Sequence, residues 1–592
     1  MDPAAEYSVS FERCVKEAFS ILGIESAPVI ERPRSGEADL CLVCFPLSKG
    51  LEMSPEAVAG RIKSLLPEDD RWSLKVHSGY LNCIFNEGRY VREAADFIWR
   101  AGESYGELDR RGVKVIVEHT SANPNGPFHV GRARNPIIGD TLVRMMRAAG
   151  YDVEAQYWVN DMGKQVMLLV WGMANIPPSE ISPPERDKED HLLVRYYQTA
   201  NSRLEENSEV EEEINGLLKR YEDAVSSGDW KLVISRTGAP VIKAEDVRNA
   251  CLRVLDGMRQ SLSRLNVSFD SFVFESEVVE DGSLDEVVGE LKKSGLCGEE
   301  DGAYYLDLSG SLKGGDMDRF KKRFVFTRAD GSALYTTRDL AYHRSKLVRC
   351  DRAINVLGED HRYQSTMLRL ALKEIGVNNE PEVVFYSFVS LPGGKMSTRR
   401  GRVVFLDDLL DIAVERAGDE VKKRREDLSD EEMADISVSV GLGALRFNMI
   451  SVQPEKKIVF RWEDALSFEG ATSPFVQYSH ARASSIIEKS EGLPEGEIDW
   501  TKLVEDTERG LVKTLSRFRE VIGRCADETR IHLMANYLVD TASTFNEFYR
   551  DCPVLSEEDP ERKRARLALV EMTRRVIGRG LWTLGIDAPP RM

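Results

Sequence analysis

Residues 113–150 read VKVIVEHTSANPNGPFHVGRARNPIIGDTLVRMMRAAG, and this stretch decides the fold. Val113, Val115, Ile116 and Val117 form a short apolar run of the kind a parallel strand covered on both faces needs. A turn-rich segment follows through Asn123, Pro124, Asn125, Gly126 and Pro127. Ile137, Ile138, Leu142, Met145, Met146 and Ala149 then recur at helical spacing until Gly150 stops them. Pro136 fits the first turn of a helix that starts there, but would kink one already begun at Val130. On either reading His129, Gly131 and Arg132 fall on a loop or first turn at the carboxyl end of a strand, where open α/β sheets bind nucleotides. A helix N-terminus attracts phosphate, histidine can donate to a phosphate oxygen, and glycine lets a flat base approach the backbone. The alternative is that His129 only caps the helix.

Outward from this stretch, strand and helix patterns alternate on to about residue 175 and resume at RFVFTR, RAINVLG and EVVFYSFVSL, which predicts a parallel sheet with crossovers. Between them, about 176–320 is richer in charge and turns and reads as an insertion. Residues 1–105 mix helical and strand-like runs (ADLCLVCF, HSGYLNCIF), and 406–592 is almost wholly helical in its apolar spacing. The expected organisation is therefore an α+β N-terminal domain (1–105), an α/β domain (106–405) with its insertion, and an all-α C-terminal bundle (406–592).

Composition sets the limits. A chain of 592 residues with 42% apolar and 30% charged content is ordinary globular material, with room for about three to four domains. No stretch approaches the roughly 20 apolar residues of a membrane helix, and MDPAAEYSVSFERC lacks the basic start and apolar core of a signal peptide. Nine cysteines, scattered apart from Cys41 and Cys44, suit buried reduced thiols in a cytoplasmic protein, and no metal site is expected. The net charge of −19 argues against a general nucleic-acid coat, yet leaves room for a local basic groove.

A second chemistry-bearing segment, LPGGKMSTRRGRVVF (391–405), follows directly on a strand-like run. It carries two glycines and four cations, Lys395, Arg399, Arg400 and Arg402, a composition suited to closing on a triphosphate or pyrophosphate.

HVGR after a first strand and GGKMST after a last one resemble the two signatures of class I aminoacyl-tRNA synthetases, and SANPNGPFHVGR resembles the arginyl-tRNA synthetase family within that class. YWVNDMGKQ (157–165), LYTTRDLAYH (334–343), FEGATSPFVQYSHAR (468–482), ANYLVDTASTFNEFYRDCPVL (535–555) and LGIDAPPRM (584–592) are similar to further blocks of that family, in order along the chain. The resemblance implies a Rossmann-type catalytic domain, an N-terminal domain reading the tRNA D-loop and a helical anticodon-binding domain. It implies ATP-dependent formation of arginyl-adenylate with Mg2+ accompanying the ATP, then transfer to the 3′-terminal adenosine of tRNA(Arg), in a chain expected to act as a monomer away from membranes. Two rival readings are a small-molecule nucleotidyltransferase and a non-catalytic RNA-binding paralogue.

By the same resemblance, Glu118 and Asp339 would face the substrate guanidinium with Tyr335 packed on it, and Ser121 and Asn123 would hold the amino-acid end. His129 and Gly131 would bind ATP with Pro127, Met396, Asp360 and His361, while Lys395 meets the leaving pyrophosphate and Ser397 and Arg132 complete the catalytic set. Asn82, Tyr80 and Phe85, and on the helical side Tyr478, His480, Arg482 and the run Arg562–Arg566, would touch tRNA; Phe85 reads equally as core. Two departures stand out. Arg132 replaces the second histidine of the first signature, and Thr398 replaces the second lysine of the second. Relatives lacking that lysine carry one upstream, where this chain has Gly126, which leaves Arg132, Arg399 and Arg400 as candidate substitutes.

Overall fold

The structure, a computed structural model, describes residues 2–33, 38–311, 323–391, 394–395, 405–425, 427–490 and 492–592. Its centre is a sheet of five parallel strands: β1 (Lys114–Glu118), β2 (Asp152–Val159), β3 (Ser271–Phe274), β4 (Arg352–Gly358) and β5 (Glu382–Tyr386). They lie in the order β5-β4-β1-β2-β3. The chain runs outward one way through β2 and β3 and the other way through β4 and β5, so the strand order reverses between β1 and β4. Crevices at the carboxyl ends of such a switch point are where α/β sheets take ligands. Helices α1 (Arg134–Ala148), α2 (Lys164–Asn175), α3 (Tyr335–Val348) and α4 (Arg362–Glu374) join and cover the strands.

Two expectations change here. β3 lies inside the stretch read as an insertion, yet it extends the main sheet through Gln156↔Ser271 to Val159↔Phe274. It is a short edge strand with only Phe274 fully buried, so it carries no apolar run to announce it. Conversely RFVFTR does not resume the parallel sheet: Arg323–Val325 pairs antiparallel with Ala303–Asp307, which pairs with Cys297–Glu300, forming a separate small sheet over its own apolar cluster.

The helix α1 lies directly on the loop after β1. At Gly139 a Cβ would come 2.1 Å from Cγ of His119, so only glycine allows this approach. Pro136 occupies the first turn of α1, where its missing N–H costs nothing.

N-terminal to the sheet, Tyr80–Phe85 and Trp72–His77 pair within a four-stranded antiparallel sheet, with Leu81, Cys83 and Phe85 inward and Tyr80, Asn82 and Ile84 half-exposed. C-terminal to it, helices from Leu406–Lys422 to Pro560–Thr583 form the bundle, broken by the short strand Ile458–Val459, which pairs parallel with Val389–Leu391. The bundle is welded to the sheet domain by Arg446, itself fully buried. Its guanidinium donates to Asp140 on α1 at 2.7 Å and to the carbonyl of Leu584 at 2.7 Å, and also to the carbonyl of Leu265. No helix among the described residues is long and apolar enough to cross a membrane.

Candidate functional site

A cleft of about 1100 Å³ opens at the carboxyl ends of β1, β4 and β5. Glu118, Ser121, Asn123, His129, Gly131, Arg132, Tyr335, Asp339, Asp360 and His361 all line it, although the sequence scatters them over more than 240 positions. Pro127 does not: it is buried beneath the loop. Met396, Ser397, Thr398, Arg399, Arg400 and Arg402 lie outside the described residues. For Lys395 the backbone is placed, paired with Ser390 in a two-stranded turn.

The loop after β1 carries unusual backbone. Thr120 and Ser121 sit at φ 73° and 39°, consecutive non-glycine residues in the left-handed region. Such conformations cost on the order of 1–3 kcal/mol each and persist only where the surroundings impose them. Here Asn135 imposes one, accepting from the Thr120 N–H at 2.7 Å while donating to the Val356 carbonyl at 2.9 Å. His129 follows at the head of a short 3-10 turn, its Nδ1 accepting the Gly131 N–H at 3.0 Å. Burial, and then the Arg132 guanidinium, press the His129 pKa below its usual value, which favours the neutral ring. With Nδ1 accepting, the proton of that ring resides on Nε2, free to donate into the cleft. The cap and the ligand-facing histidine are thus the same residue.

The opposite wall is a buried charge network. Glu118 ends β1 almost wholly buried, and its Oε2 accepts from Lys346 Nζ at 2.6 Å. Lys346, with no exposed surface, also donates to Asn355 Oδ1 at 2.8 Å and approaches His343 Nε2 at 3.2 Å. Asn355 Nδ2 lies 2.7 Å from that same Nε2. Flanked by two donors, Nε2 must accept, so the His343 proton sits on Nδ1, 3.0 Å from Asp339 Oδ1. Desolvation opposes ionisation of Asp339, yet the His343 ring and, further off, Lys346 and His361 hold its carboxyl below the usual range. Arg338 and Arg344, the other partners open to Asp339, are taken by Glu275 and Glu290. One Glu118 charge is therefore cancelled inside the protein, and the half-exposed Asp339 carboxylate remains as the net charge facing the cleft, beside a Tyr335 ring that is 56% exposed.

Glu118 thus differs from the expectation of an open carboxylate: its second oxygen is spent on Lys346. Lys346, His343, Asn355 and Asn135 were missed in the sequence. A signal existed for two of them, since Asp339, His343 and Lys346 recur at i, i+4 and i+7 on one face of α3.

Of the residues expected to touch tRNA, three groups need correcting. Phe85 is core, packed edge-on to Tyr7 with centroids 4.9 Å apart. His480 is buried, with its Nδ1 3.1 Å from the Pro589 carbonyl oxygen, so the C-terminal tail covers it. In the run Arg562–Arg566, Arg566 is buried against Glu508 and Glu557 at 2.6 Å each, and Lys563 and Arg564 bond backbone carbonyls. Arg566 thus serves the bundle's own packing, while Arg562, Lys563 and Arg564 are half-exposed. Asn82 lies half-exposed mid-sheet, and Arg482 stacks between Tyr478 and Tyr549, 4.9 and 5.0 Å from their ring centres, with both rings exposed.

Residues 99–462 match the family model described as tRNA synthetases class I (R), catalytic domain, and residues 476–592 match the DALR anticodon binding domain. The chain is 43% identical to the arginine–tRNA ligase of Methanocella arvoryzae over 98% of both chains, and 40% identical to that of Methanocaldococcus jannaschii over 93% of both. Its structure is similar to that of Thermus thermophilus arginyl-tRNA synthetase, with a TM-score of 0.82 at 27% identity, covering 98% of this chain and 99% of that one. Matching at both levels over nearly its full length, the chain belongs to the arginyl-tRNA synthetase family of class I.

Proposed function

We propose that this chain ligates L-arginine to tRNA(Arg), and that the cleft between β1, β4 and α3 holds both reactions. The observation that carries the reading is the pairing of a single uncompensated carboxylate, Asp339, with an exposed Tyr335 ring, across the cleft from His129 and Gly131. A guanidinium is planar, permanently charged and stacks on aromatic faces, which is what that corner offers. Asp339 makes the ionic contact, Tyr335 the stacking face, and Glu118 with its Ser121 neighbour the charge behind them. Asn123 serves the amino-acid end of arginine, with its amide held by Gln165 at 2.9 Å.

In the first step an arginine carboxylate oxygen attacks the α-phosphorus of ATP, the bond to the bridging oxygen of the β-phosphate breaks, and pyrophosphate leaves. Magnesium accompanies the nucleotide as part of that substrate. His129 Nε2–H and the first turn of α1 meet the phosphates, with Asp360 and His361 beside the nucleotide and Lys395 at the leaving pyrophosphate. In the second step a hydroxyl of the 3′-terminal ribose attacks the carbonyl carbon and AMP leaves. The tRNA is engaged by Asn82 on the N-terminal sheet and by the Tyr478–Arg482–Tyr549 stack on the bundle, a stacking platform for unpaired bases.

The test is pyrophosphate exchange with each amino acid, with and without tRNA. Exchange confined to arginine is expected. Exchange with another amino acid, or none, overturns the assignment. A non-catalytic paralogue would have no use for Asp339 kept charged by His343 and Lys346, and the same assay separates it.

A further inference from the structure

Departing pyrophosphate needs cationic partners, and this chain lacks the second signature lysine, having Thr398 there. The upstream position is closed as well. Gly126 is pressed against the helix Glu189–Glu206, where a Cβ would meet Val194 at 2.5 Å, so no lysine fits there without a shift. Arg399 and Arg400 lie outside the described residues, so among the described residues the charge is sought elsewhere in the cleft.

Three arginine or lysine side chains line it among the described residues: Arg132, Arg323 and Lys457. Arg323 is committed, paired with Glu300 and lying 4.3 Å over the Tyr305 ring. Arg132 and Lys457 are exposed and have no acidic partner among the described residues. Lys457 stands on the wall formed by Tyr386–Ser390, from which the second signature departs.

Its backbone is held on both sides. Arg134, two residues beyond Arg132 on the first signature and fully buried, donates to the carbonyls of Gln453 at 3.0 Å, Pro454 at 2.7 Å, Lys456 at 2.9 Å and Ser387 at 2.8 Å. Ser387 Oγ donates to the Glu455 carbonyl at 2.7 Å. Immediately after Lys457, Ile458 pairs with Val389 and Val459 with Ser390, and Ser390 pairs on its other side with Lys395. The backbones at Lys395 and just after Lys457 therefore flank one strand from opposite sides, and that ladder is pinned to the first signature through Arg134. The Lys457 side chain has no hydrogen-bond or ion-pair partner among the described residues, a compact ammonium on a fixed base, which suits a contact with phosphate oxygens.

We propose that Lys457 contacts the leaving pyrophosphate in this chain and supplies the cation that Thr398 does not. The inference rests on the reading of the cleft as the site of arginyl-adenylate formation. The test is single-turnover adenylate formation with saturating tRNA, on the full-length protein. Lys457→Ala should slow that step by about a hundredfold to a thousandfold, the range of one lost preorganised donor, with arginine KM within twofold of the parent. Because Lys457 is exposed, the thermal midpoint should stay within about 1 °C. Lys457→Arg should recover part of the loss. The decisive variant is Thr398→Lys on the Lys457→Ala background, which restores a signature lysine and should return most of the rate. A Lys457→Ala rate within twofold of the parent overturns the inference and leaves the functional reading standing. A slowed rate that Thr398→Lys does not rescue overturns it too, by showing a loss that is not of phosphate charge. Absence of arginine-dependent exchange in the parent overturns the functional reading and the inference with it.

Discussion

The two ends of the cleft are built on opposite electrostatic plans. At the arginine end most charges already have a partner, Glu118 with Lys346 and Arg338 with Glu275, and the one net charge, Asp339, is held in place by a hydrogen bond from His343. At the phosphate end Arg132 and Lys457 have no acidic partner among the described residues. The difference follows from when the charge to be met exists. A guanidinium is charged before, during and after the reaction, so its pocket can be assembled permanently at the cost of burying ions. The phosphates are anionic throughout, but further charge develops on the leaving bridging oxygen only as the bond breaks, and a cation already bound to a carboxylate would have to give up that bond to meet it.

The sharpest way to break the comparison is Lys346→Met. It leaves Glu118 buried without its cation, a loss on the order of 3–5 kcal/mol in stability by urea unfolding, and Lys346→Arg should keep most of it. Equal stability in the methionine variant would mean that the arginine end is not pre-paired. Next comes Asp339→Asn, which keeps shape but removes the net charge. It should cost arginine kcat/KM about 3–4 kcal/mol, several hundredfold, with ATP KM nearly unmoved. An arginine kcat/KM within threefold of the parent removes Asp339 from the pocket.

The third concerns the point where the second signature segment rejoins the fold. The Leu406 N–H donates to the Phe128 carbonyl at 2.7 Å, and Asp407 accepts from Lys188 at 3.0 Å and Ser261 at 2.9 Å beside His191. Burial opposes ionisation of Asp407, but the bonds from His191, Lys188 and Ser261 hold its carboxyl well below the usual range. A depressed folded-state pKa gives stability that is fully present above the unfolded value of about 4 and is lost as pH falls toward the folded one. Asp407→Asn should cost about 2 kcal/mol at pH 7 and should flatten the fall in stability below about pH 5, followed by thermal unfolding across that range. An unchanged acid limb would exclude Asp407 as a source of that dependence.

The smallest effect belongs to the bundle. Arg482→Ala should weaken tRNA binding by about 1–2 kcal/mol, roughly tenfold, through loss of the guanidinium between two exposed tyrosines. Arg566→Gln, by contrast, should lower the unfolding midpoint, because it breaks buried pairs to Glu508 and Glu557. If Arg566→Gln weakened tRNA binding with stability intact, the division between binding and structural arginines would be wrong.

Much of this fold was legible because its strands are covered on both faces. Such strands read as near-continuous apolar runs, as Val115–Val117 does throughout and RAINVLG does apart from Arg352 and Asn355. β3 escaped because it is a short edge strand whose side chains are mostly half-buried. In the site, residues that must reach a ligand stand in compact blocks such as HVGR and YTTRD and were readable. Lys346 and Asn355 were not, because a buried polar pair is made by strands and helices meeting in space, and neither residue alone departs from ordinary usage. Phe85 and His480 erred the other way. An aromatic or a histidine beside a polar block carries the same letters whether it faces RNA or core, and only the alternation along Tyr80–Phe85 and the return of the tail at Pro589 decide.

The Arg446 cross-brace has a consequence for how the molecule comes apart. It bonds α1 in the sheet domain, the end of the helix Ala244–Arg264 at Leu265, and the C-cap of the helix Pro560–Thr583 at Leu584, all from one buried guanidinium. The seam near residue 405 that the sequence suggests is therefore not a line of thermodynamic weakness. Cutting there would strand Asp140 without Arg446, leaving Arg144 as its remaining cation. Heat should meet the parallel sheet and the helix Asp430–Ile450 as one cooperative unit, melting in a single calorimetric step, so a catalytic fragment ending at residue 405 is not an independent folding unit.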